Sequence, residues 1–143
     1  MSRILSIDYG RKRVGIAVSD PLQIIAGGLT TVHAKDIFDF LDDYLKNENV
    51  ETIVVGYPKT LKNEASQAIE FVNPFIKKLI KRYPEIDVDI YDERFTSKLA
   101  VRAMIDGGMK KKDRQNKANT DKISATIILQ SYMEYLQNKI LLK

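Results

Sequence analysis

The chain contains no cysteine and a single histidine, His33, among its 143 residues. The first absence excludes disulfides, thiolate metal sites and cysteine nucleophiles, and nothing in the composition calls for an oxidising compartment. The second rules out sites that need two or more histidines and leaves a serine triad one candidate base. Long apolar runs are missing too. The N-terminus passes from Met1-Ser2-Arg3 into four residues of apolar character, too short for a signal-peptide core, and no window reaches membrane-spanning length. A cytoplasmic, soluble protein is expected, with hydrolytic chemistry, if any, resting on carboxylates and metals.

With 44% hydrophobic residues the sequence can bury one substantial core, and one domain over 1–143 is expected. The net charge of +4 favours an anionic partner only where the basic residues cluster. They cluster twice, at Arg11-Lys12-Arg13 and over Lys110-Lys111-Lys112-Asp113-Arg114, with Lys117 and Lys122 beyond.

Ile4–Asp8 and Val14–Ser19 predict two strands joined by a tight turn at Gly10, and Gly28–Val32 a weaker third. An amphipathic helix is expected from Asp36, its N-cap, to Lys46, with Ile37, Phe38, Leu41 and Leu45 inward. The β-branched run Thr52–Val55 predicts a buried strand ending in Gly56-Tyr57-Pro58. A helix over Glu64–Arg82 follows, with Ile69, Val72, Ile76, Leu79 and Ile80 on one side and Pro74 expected to kink or divide it. Asp87–Tyr91 predicts a last strand and Thr96–Asp106 a helix, then a loop from Gly107 to Asn119 and a final helix from Thr120 to about Leu142. The fold class expected from this order is α/β: a mixed, five-stranded RNase H-like sheet flanked by helices.

Three acids stand at informative places: Asp8 at the end of a strand segment, Glu93 just beyond another, and Asp121 near the start of the last helix. Taken singly, each has an ordinary explanation: a turn residue, an ion pair with Arg94 or Lys98, and an acid favoured by the helix dipole. Together they predict a cage, because parallel strands bring their C-terminal ends to one edge, where open sheets bind ligands. Carboxylates from three elements suit Mg2+ or Mn2+, and two such ions about 3.5–4 Å apart can drive phosphodiester hydrolysis. The basic run Lys110, Lys111, Lys112, Arg114 and Lys117, together with Arg11 and Lys12, would then meet the phosphates of structured nucleic acid. Gly10 and Gly15 have the Walker spacing, but Ile16-Ala17 stand where Lys-Ser/Thr is required.

At these phrases the chain resembles the YqgF family of Holliday-junction resolvases and of nucleases that mature the small-subunit ribosomal RNA precursor. The matching stretches are Asp8-Tyr9-Gly10 with Arg13 to Asp20, Val55 to Pro58, Asp92 to Thr96, and Thr120-Asp121 through Gln130. The resemblance implies an RNase H-like fold, Asp8, Glu93 and Asp121 as metal-binding catalytic acids, and Arg94 and Thr96 supporting the nucleic-acid site. Lys62 to Ser66 and Ser124-Ala125 depart from the family pattern without touching the three acids. A hydrolase acting on precursor rRNA is thus expected, with branched DNA as alternative substrate. Two rivals remain: a non-catalytic nucleic-acid-binding module, and an actin-like or sugar-kinase ATPase, for which 143 residues leave little room for a second domain.

Overall fold

The computed structural model describes residues 2–57, 63–92 and 117–141, with side chains described for 2–57, 69–92 and 121–139. The elements run β1 (Arg3–Tyr9), β2 (Arg13–Ser19), β3 (Ala26–His33), α1 (Ile37–Asn47), β4 (Val50–Tyr57), α2 (Asn63–Arg82), β5 (Asp87–Asp92) and α3 (Lys117–Leu141). The helix expected over Thr96–Asp106 lies outside the described residues.

The strands form one five-stranded sheet in the order β3-β2-β1-β4-β5. β1 pairs antiparallel with β2 and parallel with β4, and β4 pairs parallel with β5, so the sheet is mixed as expected. The Gly10 N–H donates to the Arg13 carbonyl at 3.0 Å and closes the β1–β2 hairpin.

Strand alternation divides the interior into two cores. Leu5, Ile7, Val14, Ile16, Ile53 and Val55 point to one face, where they pack with Ile37 and Leu41 of α1 and with Val72, Phe75 and Leu79 of α2. Ile4, Ala17 and Val54 point to the other, against Ala125, Leu129, Tyr132 and Met133 of α3. Because β1 and β4 are covered on both faces, they read as nearly continuous apolar runs.

Four expectations change. Asp36 makes no side-chain cap bond; a 3-10 turn over Ala34–Asp36 winds straight into α1, and its backbone replaces a side-chain acceptor. His33 accepts the Lys35 N–H at 3.4 Å at the head of that turn. In α2, Phe75 is buried whereas Ile80 is half-exposed, since Ile80 sits about 100° around the helix from Leu79 and leaves the core stripe. Of the two outcomes expected of Pro74, a kink or a division, division does not occur: α2 runs through the proline, which lies on the exposed side where a lost hydrogen bond meets solvent. Finally, α3 begins at Lys117, so residues 117–119, expected in the loop, are helical.

Ser6 is the buried polar anchor between the layers, its hydroxyl donating to the Ala125 carbonyl at 2.6 Å. We expect Ser6→Ala to lower the unfolding free energy by about 1–3 kcal/mol, because that carbonyl has already surrendered hydration. A urea titration with an unchanged midpoint would exclude this anchoring role.

A candidate active site at the C-terminal edge of the sheet

Parallel β1, β4 and β5 end at one edge, with Tyr9, Tyr57 and Asp92 as their last residues, and β2 starts there with Arg13. Asp8, next to last in β1, lies directly opposite Gly15 of β2. It shares the α3 face with Ser6 and Ile4, two and four residues back.

Gly15 governs what stands beside it. A Cβ there would fall 2.0 Å from the backbone oxygen of Asp121 and 3.1 Å from its Cβ, so α3 rests on the bare backbone of β2. One step along, a Cβ on Gly28 of β3 would come within 3.1 Å of Thr126 Oγ1. Cross-strand neighbours keep their Cβ atoms about 5 Å apart. Asp8 and Asp121, one across from Gly15 and one above it, therefore have Cβ atoms no more than about 9 Å apart. That brings two carboxylates to one end of one face.

Arg13 completes the described part of the edge. Its Nε donates to Asp121 Oδ2 at 2.8 Å, leaving Oδ1 outside that bond. Arg13 was not a candidate for this site from the sequence, where it stood only in the basic cluster Arg11-Lys12-Arg13 and in the family-like opening stretch. The signal was present: Arg13, Gly15, Ala17 and Ser19 alternate with Val14, Ile16 and Val18, so one face of β2 is stripped for a helix and ends in a cation. The start of α3 at Lys117 also revises Asp121. It stands in the second helical turn, beyond the first turn where the dipole alone would favour an acid. Burial raises the Tyr9 phenol above its ordinary pKa, so Tyr9 adds no charge beside Asp8 at neutral pH.

The other candidates are distributed as follows. Arg11 stands over the Phe71 ring, 5.2 Å from its centroid, on the α2 side of the edge. Lys12 is exposed in the hairpin turn, and its carbonyl accepts the Ala34 N–H at 2.9 Å. Lys117 opens α3. Glu93, directly following β5, and Arg94, Thr96, Lys110, Lys111, Lys112 and Arg114 lie outside the described residues. Among the described residues no cluster of three or more acids or histidines forms, so the pair Asp8 and Asp121 needs a third donor to make a cage. The chemistry of the pair fits a hard divalent cation: both offer carboxylate oxygen, and Asp121 keeps Oδ1 outside its bond to Arg13.

The mixed five-stranded sheet with its flanking helices has the RNase H-like fold. The T. thermophilus RuvC structure, in complex with a Holliday junction substrate, shares the fold at a TM-score of 0.60 and 17% identity, over 94% of this chain and 96% of that one. The family profile described as "RuvX: Holliday junction resolvase" matches residues 2–135, and the chain belongs to that family. A relative from Bacteroides fragilis is 59% identical over 134 residues, 94% of this chain and 97% of its own. Another, from Christiangramia forsetii, is 53% identical over 133 residues, covering 93% and 98%. Both bear the name "Putative pre-16S rRNA nuclease".

Gly15→Ala should lower stability by about 1–3 kcal/mol or more, because the backbone of α3 must lift to admit a methyl group. The same change should shift the amide resonances of residues 119–123 more than those of 133–137. Native stability together with an unmoved α3 would mean that the close approach does not hold Asp121.

Proposed function

We infer that this chain is a divalent-metal-dependent endonuclease that hydrolyses phosphodiester bonds in structured nucleic acid, acting in the cytoplasm on the 5′ end of the 16S rRNA precursor. The observation that carries this reading is the pair Asp8 and Asp121 flanking Gly15 at the C-terminal edge of the sheet. The rRNA substrate is supported by the names of relatives above 50% identity. Branched DNA is the second reading, favoured by the printed description of the family.

In this proposal Asp8, Glu93 and Asp121 hold the metal, with Glu93 arriving from the residue after β5. Two Mg2+ or Mn2+ ions, when bound, supply an activated water and charge stabilisation at the leaving oxygen. Arg13 has a positioning role: by holding Oδ2 of Asp121 it fixes the carboxylate and offsets part of the repulsion with Asp8. Arg11, Lys12, Arg94, Thr96, Lys110, Lys111, Lys112, Arg114 and Lys117 contact the nucleic acid, Arg11 from its place over Phe71 and the others at the phosphates, where they supply affinity rather than sequence preference.

The test incubates the purified protein with precursor rRNA and with junction DNA, each with Mg2+, with Mn2+ and with chelator. Metal-dependent cutting is expected, with rRNA preferred. Asp8→Asn and Asp121→Asn should each reduce cleavage by at least about a hundredfold while nucleic-acid binding stays within a few-fold. Wild-type cutting by either variant, at matched circular dichroism, overturns the assignment. The metal should also raise the wild-type Tm, as any ligand selective for the folded state does, and that shift should shrink in Glu93→Gln. Without metal, Asp121→Asn should stay within about 1 kcal/mol of wild type, since a half-exposed ion pair with Arg13 contributes little.

Replacing Lys110, Lys111, Lys112 and Arg114 by serine should weaken binding across sequences. Each lost phosphate contact should remove roughly 0.7–0.9 from the log-log salt slope. An unchanged slope would assign the run to solvent.

A further inference from the structure

On the face of the sheet away from α3, the same edge carries an open cleft of about 310 Å³ lined by Tyr9, Arg11, Glu70 and Phe71. It belongs neither to the Asp8 and Asp121 pair nor to the core, and its lining is chemically mixed. Phe71 is partly buried against the core, and the Arg11 guanidinium covers one face of its ring, so the stacking wall is the pair and not the bare ring. Tyr9 also lines it and is itself stacked on Phe75, with ring centroids 4.0 Å apart and planes 8° from parallel. The ion pairs among the described residues, Arg3–Glu48, Arg13–Asp121 and Arg82–Asp42, leave Arg11 and Glu70 out. A cation and an anion thus line one cleft without neutralising each other. Glu70 brings a second acceptor as well: residue 74 is proline, which has no N–H, so the Glu70 carbonyl lacks the donor an uninterrupted helix would give it.

We propose that this cleft takes one unstacked guanine of the nucleic-acid substrate, adjacent to the phosphodiester at Asp8. The proposal rests on the nuclease reading above and adds to it a site for base recognition. Each wall has a counterpart on the ligand. Aromatic and guanidinium planes stack any base. A carboxylate only accepts, and its two oxygens match the adjacent N1–H and N2–H of guanine, whereas adenine and cytosine present one donor beside an acceptor. The volume lies at the lower end of small-ligand sites, roughly 300–1,000 Å³, which suits one base and not a duplex. Position follows from the strand: Asp8 and Tyr9 are consecutive, with Cα atoms about 3.8 Å apart and side chains on opposite faces. A nucleic-acid strand crossing the edge over the hairpin turn would meet the acids with its phosphate and the cleft with its neighbouring base.

The experiment uses the full chain and a structured RNA whose unpaired nucleotide beside the cleaved bond is guanine, adenine, cytosine, uracil or abasic, with binding read by fluorescence anisotropy and cleavage read with Mg2+. Wild type should bind the guanine substrate roughly tenfold or more tighter than the uracil one. Glu70→Gln, an exposed helix substitution, should erase most of that preference while leaving affinity for the abasic substrate unchanged. Phe71→Leu, which keeps apolar volume, should weaken binding of every base-carrying substrate roughly fivefold or more and leave the abasic one alone. If wild type binds and cuts but neither variant alters the dependence on that base, the cleft proposal falls and the nuclease reading stands. If wild type shows no metal-dependent cutting of these RNAs or of junction DNA, the nuclease reading falls and the cleft proposal with it.

Discussion

The contact between Gly15 and the backbone of Asp121 is the constraint on which the edge depends. A helix rests on a sheet at the separation its side chains allow, and here the strand offers none. With 2.0 Å between the place of a missing Cβ and a carbonyl oxygen, no residue with a side chain could stand at position 15 without displacing α3. The close seating brings Asp121 over the residue opposite Asp8. It also puts Arg13, two residues before Gly15 on the same strand face, within reach of the Asp121 carboxylate. Acid, glycine and arginine form one unit of geometry.

That seating is possible because the two faces of the sheet carry different loads. The bulk of β1, β2 and β4 goes toward α1 and α2, with Leu5, Ile7, Val14, Ile16, Ile53 and Val55 in one core. The opposite face keeps small and polar residues where α3 crosses, Ser6, Gly15, Ala17 and Gly28 among them, and there the Ser6 hydrogen bond adds to a smaller apolar core around Ile4, Val54, Leu129 and Met133. The first face holds the larger apolar core, and the second combines a smaller one with the close approach of α3 to β2. The same division places the Asp8 and Asp121 carboxylates with the Arg13 guanidinium on the α3 side, and Tyr9, Arg11, Glu70 and Phe71 on the α2 side.

Not every charged cluster belongs to function. Asp42 meets Arg82 and the Tyr83 hydroxyl between α1 and α2, and these donors pull the Asp42 carboxyl down to about 2, the Arg82 bond being the larger cause. Burial, with a hydrogen bond to Asp89, pushes the Tyr132 phenol well above its ordinary range where α3 meets β5. Both tie helices to neighbours away from Asp8 and Asp121, and both phenols stay neutral donors in the working range of pH.

The sequence by itself determined the strands, their order of appearance, the mixed character of the sheet and the buried faces, because period-2 alternation and β-branched runs are local signals that burial enforces. It also singled out Asp8 and Asp121 by their places at the end of a strand and in a helix. It could not decide details set by packing: that residues 117–119 are helical, that Phe75 rather than Ile80 fills the core, or that a 3-10 turn relieves Asp36 of capping. Nor could it join Arg13 to Asp121, 108 residues later in the chain. Only the tertiary structure decided that partnership, since it depends on how closely a helix can approach a strand, and that distance is fixed by an atom Gly15 does not have.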